Sequence, residues 1–361
     1  MSFDHTAIAP LDPLEASALL CQLPSLNRAA NVEGLVHLLR GLSEKASRLQ
    51  GGDPARAAAV MRDLGMCLGS LKHHGHEPLE LVPQLEPVLR RLGERTGLPP
   101  RDTLLHYSVW NPPGDRLRTY TGLPDEVQLI QSVRLAIPPL ESAITRLAEL
   151  YEVPVRAPDF VPLCTQVLEG LRQLVESIVH AHRHVSPHVF ASELRSYYDP
   201  ILIGGTPYLG PGAVEMPLFV LEHLLWGSSS TEAGYVAFKE RYVPYILPEW
   251  RALYRRHVGR PSLVDRVLEE VHALEEPNDT ARAGVDALRA LVGMLIRFRA
   301  PHLKLAEKSY SAESGNPRGV GSGGFTVEML AELLRLTREA QARLVLPVLP
   351  GLPGHQPGAG R

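Results

Sequence analysis

The chain has 361 residues, of which 44% are hydrophobic and 21% are charged, and its 40 acidic side chains nearly balance 37 basic ones. This composition is typical of a globular protein with a large core, and the balanced charge argues against a polyanion such as nucleic acid as partner. The sequence does not open with a basic stretch and an apolar run, and it contains no apolar run of about 18 residues, so we predict a cytoplasmic protein without a membrane span.

Most of the chain has the hydrophobic periodicity of α-helices. Leucine, valine or alanine recurs every three or four residues over the segments 31–49, 55–71, 136–151, 162–184, 216–226, 263–274, 281–298 and 327–345. Strand-like alternation is scarce, and prolines and glycines cluster between these segments, as at Gly204-Gly-Thr-Pro207. The pattern predicts an all-α fold.

A break in this pattern at Tyr120-Thr-Gly-Leu-Pro124 predicts a domain boundary. It divides an N-terminal helical region, residues 1–120, from a larger C-terminal helical domain, residues 121–346. The remaining residues 347–361 are rich in proline and glycine without periodicity, so we predict a flexible tail.

One histidine, His302, lies near the end of a predicted helix and is followed by the glycine-rich stretch Gly319–Gly324. An imidazole on a helix can donate a nitrogen lone pair to a haem iron and leave the opposite iron face open. A glycine-rich loop beside such a centre can close over a substrate and exclude water. The alternative is a buried histidine followed by an ordinary linker.

A second group of residues has the composition of an amino-acid pocket. Arg195 can bind a carboxylate through two hydrogen bonds, and Phe190 can stack on a planar ring. A glycine-rich turn, Tyr208–Pro217, leads from there into an apolar helix. The alternative is an Arg195 that faces solvent in a surface salt bridge.

These motifs occur in the order Phe190-x4-Arg195, a glycine-rich turn at 208–213, His302 on a helix, and the loop Gly321-Ser-Gly-Gly324. The ordered set resembles the indoleamine/tryptophan 2,3-dioxygenase superfamily. Within that superfamily, longer stretches along nearly the whole chain are similar to the monodechloroaminopyrrolnitrin synthase family, among them 22–27, 69–78, 109–112, 120–126, 208–223 and 297–307.

The resemblance implies a two-domain helical protein that holds haem b, with His302 as the proximal iron ligand. It further implies contacts of Gly210 and Ala213 with the cofactor. The same resemblance implies catalytic roles for Ser322 and Tyr310, and a substrate pocket formed by Phe190, Arg195, Gly212, Ser322 and Gly323.

The implied reaction converts 7-chloro-L-tryptophan, or L-tryptophan, with oxygen and an electron donor. It opens the indole ring, cyclises the side chain to a pyrrole and releases carbon dioxide. Ser322 stands where the dioxygenases carry threonine, which favours this rearrangement over the formation of N-formylkynurenine. Two alternatives stay open: a tryptophan 2,3-dioxygenase, and a helical protein that binds haem or metal without catalysis.

Other metal-capable residues compete with this interpretation. The strings His180, His182, His184, His188 and His73, His74, His76 are dense enough to suggest zinc, although no carboxylate or thiolate accompanies them with ligand spacing. Three widely separated cysteines favour reduced thiols over a disulfide or a thiolate site. His223 is a second candidate for the iron ligand, a distal group or a propionate partner, with a satisfied core histidine as its alternative.

Overall fold

The structure is a computed structural model that describes residues 3–49, 51–213, 216–276, 278–311 and 326–346, the side chains of Ala213, Tyr310 and Ser311 excepted. Within these residues the α-helices are α1 His5–Ile8, α2 Ser17–Leu20, α3 Leu23–Arg28, α4 Val32–Arg48, α5 Pro54–His73, α6 Pro78–Leu81, α7 Glu86–Thr96, α8 Leu104–Tyr107, α9 Pro124–Tyr151, α10 Phe160–His184, α11 Pro187–Val189, α12 Leu218–Glu222, α13 Ala233–Tyr242, α14 Pro248–His257, α15 Leu263–His272, α16 Asp279–Ser311 and α17 Val327–Arg343.

Several short helical segments and one pair of strands connect these α-helices. Two are π-helical, Phe190–Leu194 and His223–Gly227. The 3₁₀ segments are Pro83–Leu85, Gly114–Arg116, Arg195–Tyr198, Pro211–Ala213 and Val243–Tyr245. The strands β1 Ile201–Ile203 and β2 Thr206–Tyr208 form a two-stranded antiparallel sheet.

The all-α prediction is confirmed, and each periodic segment is helical. Two helices are longer than the periodicity predicts: α9 begins at Pro124 and contains Pro138 and Pro139, and α16 continues through Pro301 to Ser311. An internal proline removes a helical hydrogen bond, but packing of the helix against its neighbours can hold it together. As a result His302 lies inside α16.

The hairpin of β1 and β2 is a local exception to the helical pattern. Ile201 pairs with Tyr208 and Ile203 with Thr206, and the turn between them consists of Gly204 and Gly205 with φ of 57° and 78°. Two consecutive residues at positive φ suit the tight turn of a two-residue hairpin, and glycine adopts this conformation without a steric penalty. The Gly-Gly pair therefore connects two strands where the sequence predicts only a break between helices.

The long C-terminal helices pack side by side. Helix α10 lies along α9 and α16, and α16 in turn packs on α17. Helices α4, α5 and α7 form the packed part of the N-terminal region. The largest hydrophobic cluster contains residues from both sides of position 120, and the domain boundary there stays a prediction.

Every helix in the part of the chain that the structure describes lacks the combination of length and apolar character that crossing a bilayer requires.

Candidate functional site

His302 has one buried ring nitrogen without a partner. Its Nδ1 atom is buried and has no hydrogen-bond partner among the described residues, whereas the residue as a whole is only half-buried. The exposed surface of the residue therefore belongs to atoms other than Nδ1. The rings of Phe298 and His302 lie 5.6 Å apart, so an aromatic side chain one turn earlier in α16 flanks the imidazole.

The imidazole of His302 is in the neutral form that ligates a metal. Burial is the main cause that lowers its pKa to about 3, and the electrostatic effects of Arg299 and then of His182 act in the same direction. At neutral pH the ring thus keeps a free lone pair. A neutral, half-buried histidine with one buried nitrogen without a partner fits a haem ligand that would bind iron through Nε2, and Nδ1–H remains available for the hydrogen bond that orients such ligands.

The helix segment around His302 is held by two neighbours. His182 of α10 donates from Nε2 to the backbone carbonyl of Pro301, at 3.0 Å. Arg299 forms two hydrogen bonds of 2.8 Å with the carboxylate oxygens of Glu222 on α12, from Nε and from Nη2. Both side chains of this ion pair are at most 1% exposed. Because Arg299 and His302 lie three residues apart on one helix, the ion pair fixes the same face of α16 that carries the imidazole.

The predicted substrate residues lie on the irregular segment after α10. Helix α10 ends at His184, α11 follows, and the chain then forms the π-helix Phe190–Leu194, which packs against α16. π-Helical turns occur frequently at functional sites, because the wider turn reorients the side chains on it. The segment from Phe190 to Arg195 therefore lies next to α16, the helix that carries His302.

Arg195 begins the 3₁₀ segment that follows this π-helix and is only 8% exposed. The alternative of a solvent-facing Arg195 is wrong. Phe190 is half-buried, and its ring lies 6.3 Å from that of Tyr198. A buried arginine and a half-buried aromatic side chain, five residues apart on consecutive turns, are the two kinds of residue that an aromatic amino acid needs.

Gly210 and Gly212 are required where the chain passes close to Tyr198. A Cβ atom on Gly210 would lie 2.6 Å from the Tyr198 carbonyl oxygen and 2.7 Å from Nη2 of Arg101. A Cβ atom on Gly212 would lie 2.4 Å from the Tyr198 ring. The glycine-rich turn is thus packed against the segment of Arg195, and the predicted contacts of Gly210 with the cofactor and of Gly212 with the substrate stay predictions.

We expect Gly212→Ala to destabilise the protein by about 1–3 kcal/mol, because the buried Tyr198 ring leaves no room for the added methyl group. Gly41→Ala is the matched control, since Gly41 lies in α4 and a Cβ atom there meets nothing within 4 Å. In a helix that change is expected to stabilise by about 0.5–1 kcal/mol. Urea unfolding of the two variants measures the difference, and equal free energies of unfolding would contradict the close packing at Gly212.

Some predicted residues fall outside what the structure describes. Ser322 and Gly323 lie outside the described residues. Tyr310 belongs to α16, roughly two turns beyond His302, but its side chain is outside the description, as is that of Ala213. The roles of these residues stay predictions.

The histidine strings form contacts other than metal coordination. His180 bonds Gln128 and its ring lies 4.6 Å from that of His184, while His188 is on a separate helix, α11. His73 bonds Ser196. Within the described ranges, no three histidine, cysteine, aspartate or glutamate side chains come close enough together to hold a metal ion.

His223 is less suited to bind iron than His302. Lys239 donates to its Nδ1 at 3.2 Å and to the carbonyl of Gly227 at 2.8 Å. The Nε2 atom of His223 is buried and has no partner among the described residues, so neither nitrogen faces open space. Burial, followed by the charge of Lys239, lowers the pKa of His223 to about 3.

One residue without a predicted role, Arg101, connects two parts of the site. It is fully buried, and its Nη1 atom donates to the carbonyls of Asp199, at 2.8 Å, and Tyr208, at 2.6 Å. It thereby joins the end of the Arg195 segment to the start of the glycine-rich turn. The sequence contains no signal for this, because an arginine after Pro99-Pro100 has the pattern of an exposed turn.

The family model described as monodechloroaminopyrrolnitrin synthase PrnB matches residues 4–346, which is nearly the whole chain. The chain therefore belongs to this family of enzymes. The match includes all the predicted site residues, those of the described helices as well as Ser322 and Gly323. The resemblance drawn from the sequence motifs is confirmed at the level of the family.

Proposed function

We propose that this member of the monodechloroaminopyrrolnitrin synthase family is a haem b-dependent enzyme whose substrate is 7-chloro-L-tryptophan. In this proposal oxygen and an electron donor are consumed, the indole ring opens, the side chain closes to a pyrrole and carbon dioxide is released. The observation that carries the proposal is the state of His302: neutral and half-buried, with a buried Nδ1 that has no partner among the described residues, on a helix fixed by a buried ion pair.

In this proposal His302 would hold the cofactor through Nε2, and Gly210 and Ala213 would contact it from the glycine-rich turn. Haem b, when bound, supplies the redox chemistry by which oxygen reacts at the indole 2,3-bond. The contribution of His182, Arg299 and Glu222 is to keep the helix and the imidazole in one position, because each bond is made to α16 within one turn of His302.

The substrate is oriented by Arg195 and Phe190. The guanidinium binds the α-carboxylate, and burial of Arg195 strengthens that charge-assisted contact because little water competes for it. Phe190 contacts the indole ring, with Gly212 and Gly323 beside the substrate. Ser322 and Tyr310 complete the proposed site as catalytic residues that hold and move protons on the reacting amino acid.

The test is an incubation of the reduced, haem-loaded protein with 7-chloro-L-tryptophan or L-tryptophan under oxygen, with mass detection of the products. The proposed reaction yields a product that is lighter than the substrate by carbon dioxide and two hydrogen atoms, while the oxygen consumed leaves as water with the electrons of the donor; simple decarboxylation would remove carbon dioxide alone. Dioxygenation to N-formylkynurenine retains the carboxylate and adds two oxygen atoms, so its product is heavier than the substrate. Detection of the heavier product alone would overturn the rearrangement and support the dioxygenase alternative.

For the substrate site we expect Arg195→Leu to weaken L-tryptophan binding by about 1.5–3 kcal/mol, which is roughly 10- to 150-fold, through loss of a charge-assisted contact in a dry site. Tryptamine has the same indole and amine but no carboxylate, so its affinity should be unchanged. Calorimetric titration of both ligands measures this difference.

The control for that variant is Arg172→Leu, which replaces an exposed arginine of α10 by the same residue. It should leave both affinities unchanged. Equal losses of L-tryptophan and tryptamine affinity in Arg195→Leu would show that Arg195 does not bind the carboxylate.

A further inference from the structure

The residues that follow Arg195 are held, one after another, by the N-terminal region. The ring of Tyr197 stacks on that of Tyr120 at 4.4 Å with 18° between the ring planes. The hydroxyl of Tyr198 donates to that of Tyr107 at 3.1 Å. Next in the chain, the carbonyl of Asp199 accepts the bond from Arg101 already described.

Ser196 is held by His73, the last residue of α5. The Nδ1 atom of His73 and the Oγ atom of Ser196 are 2.5 Å apart, and the His73 ring stacks on the Tyr197 ring at 4.0 Å with 9° between the planes. His73 thus contacts both residues that directly follow Arg195. The next histidine of the same string, His74, has a different geometry, since its ring lies nearly perpendicular to that of His73.

We propose that His73 is a positioning residue for Arg195: by bonding Ser196 and stacking on Tyr197, it sets where the guanidinium meets the carboxylate of an amino-acid substrate. This inference rests on the proposed function of Arg195. On this view the N-terminal region orders the 3₁₀ turn of Arg195. The sequence predicts no other part for this region in the reaction.

The physical reason is the shortness of the connection. Ser196 and Arg195 are adjacent residues of one 3₁₀ turn, so a shift of Ser196 moves the backbone from which the guanidinium extends. Burial lowers the pKa of His73, and the ring therefore acts as a neutral hydrogen-bonding and stacking group at neutral pH. A contact that orders a binding group before the ligand arrives raises affinity by reducing the entropy lost on binding.

The experiment compares Ser196→Ala, His73→Phe and the double variant in the full-length, haem-loaded protein. Ser196→Ala removes the hydroxyl alone, and His73→Phe keeps a flat ring on Tyr197 while removing the nitrogen. The control is Ser70→Ala, which deletes a buried hydroxyl one turn earlier in α5 that bonds Asn27 and the Met66 carbonyl. Each variant is titrated calorimetrically with L-tryptophan and with tryptamine.

We expect either single change to weaken L-tryptophan binding about three- to ten-fold and to leave tryptamine binding unchanged. Both changes remove the same hydrogen bond. The double variant should therefore bind L-tryptophan with the same affinity as the single variant that binds it less tightly. Ser70→Ala should bind both ligands normally.

Equal losses for both ligands, or normal affinities in both single variants, would overturn the positioning role and leave His73 with a structural one. If His73→Phe does not fold, the ligand affinities of Ser196→Ala alone test the positioning role. Arg195→Leu, measured alongside, separates the two proposals. If Arg195→Leu weakens L-tryptophan binding but not tryptamine binding, while Ser196→Ala and His73→Phe affect both ligands alike, only the inference about His73 is wrong. If Arg195→Leu also affects both ligands alike, both proposals are wrong.

Discussion

Replacement of His302 by alanine is expected to abolish stable haem binding. Within the proposed site the bond from Nε2 to iron is the one coordinate anchor of the cofactor, and apolar contacts and propionate pairing would remain. The purified His302→Ala protein should therefore lack the Soret absorption of the wild type after reconstitution with haem. Its helical circular dichroism should be unchanged, since Nδ1 of His302 bonds nothing in the described residues.

His223→Ala is the matched control for this variant, because His223 is the second histidine that the sequence suggests as an iron ligand. Its nitrogen atoms face Lys239 and the interior, so His223→Ala should still bind haem, although with lower stability. A wild-type Soret band in His302→Ala together with its loss in His223→Ala would reverse the assignment.

The second large effect is expected from Glu222→Leu. Glu222 is fully buried and forms two hydrogen bonds with Arg299, so its removal takes the carboxylate away from a buried guanidinium. Breaking a buried pair in this way costs about 3–5 kcal/mol of unfolding free energy. Urea unfolding of the haem-free protein measures the loss without any contribution from the cofactor.

Two further variants show whether the loss belongs to the buried charge. The double change Glu222→Leu with Arg299→Leu should be less destabilising than Glu222→Leu alone, because neither charge of this pair is then left in the interior without the other. Glu149→Leu removes the carboxylate of an exposed pair with Arg146 and should cost only about 0–1 kcal/mol. A Glu222→Leu variant as stable as Glu149→Leu would contradict a structural role for the ion pair next to His302.

Helical periodicity predicts the fold well wherever a helix has one apolar and one polar face. It predicts α4 to within a residue at each end, and likewise the start of α17. It ends α16 too early, because Pro301 looks like a helix end in the sequence, and it misses the first part of α9, which precedes Pro138 and Pro139. Only packing against neighbouring helices compensates for the hydrogen bond that each proline removes. The spacing of apolar residues along one sequence does not show which helices pack together.

The same division holds for the candidate site. Motifs suggest His302, Phe190 and Arg195 as candidates, since metal ligation and carboxylate binding each require particular residue types in a recognisable order. They give no role to Arg101 and suggest only a metal ligand at His73, because the contacts of both are with residues about a hundred positions or more away in the chain. A buried arginine and a buried glutamate look like surface residues in a sequence until their partners are known.

The sequence by itself thus determined the helical class of this protein and its family, because these depend on residue type and on spacing along the chain. Tertiary structure alone decided that Nδ1 of His302 is buried without a partner among the described residues, that Arg195 is buried, and that the N-terminal region holds the turn after it. The physical reason is that exposure, pKa and hydrogen-bond partners are set by neighbours in space, and those neighbours come from distant parts of the chain.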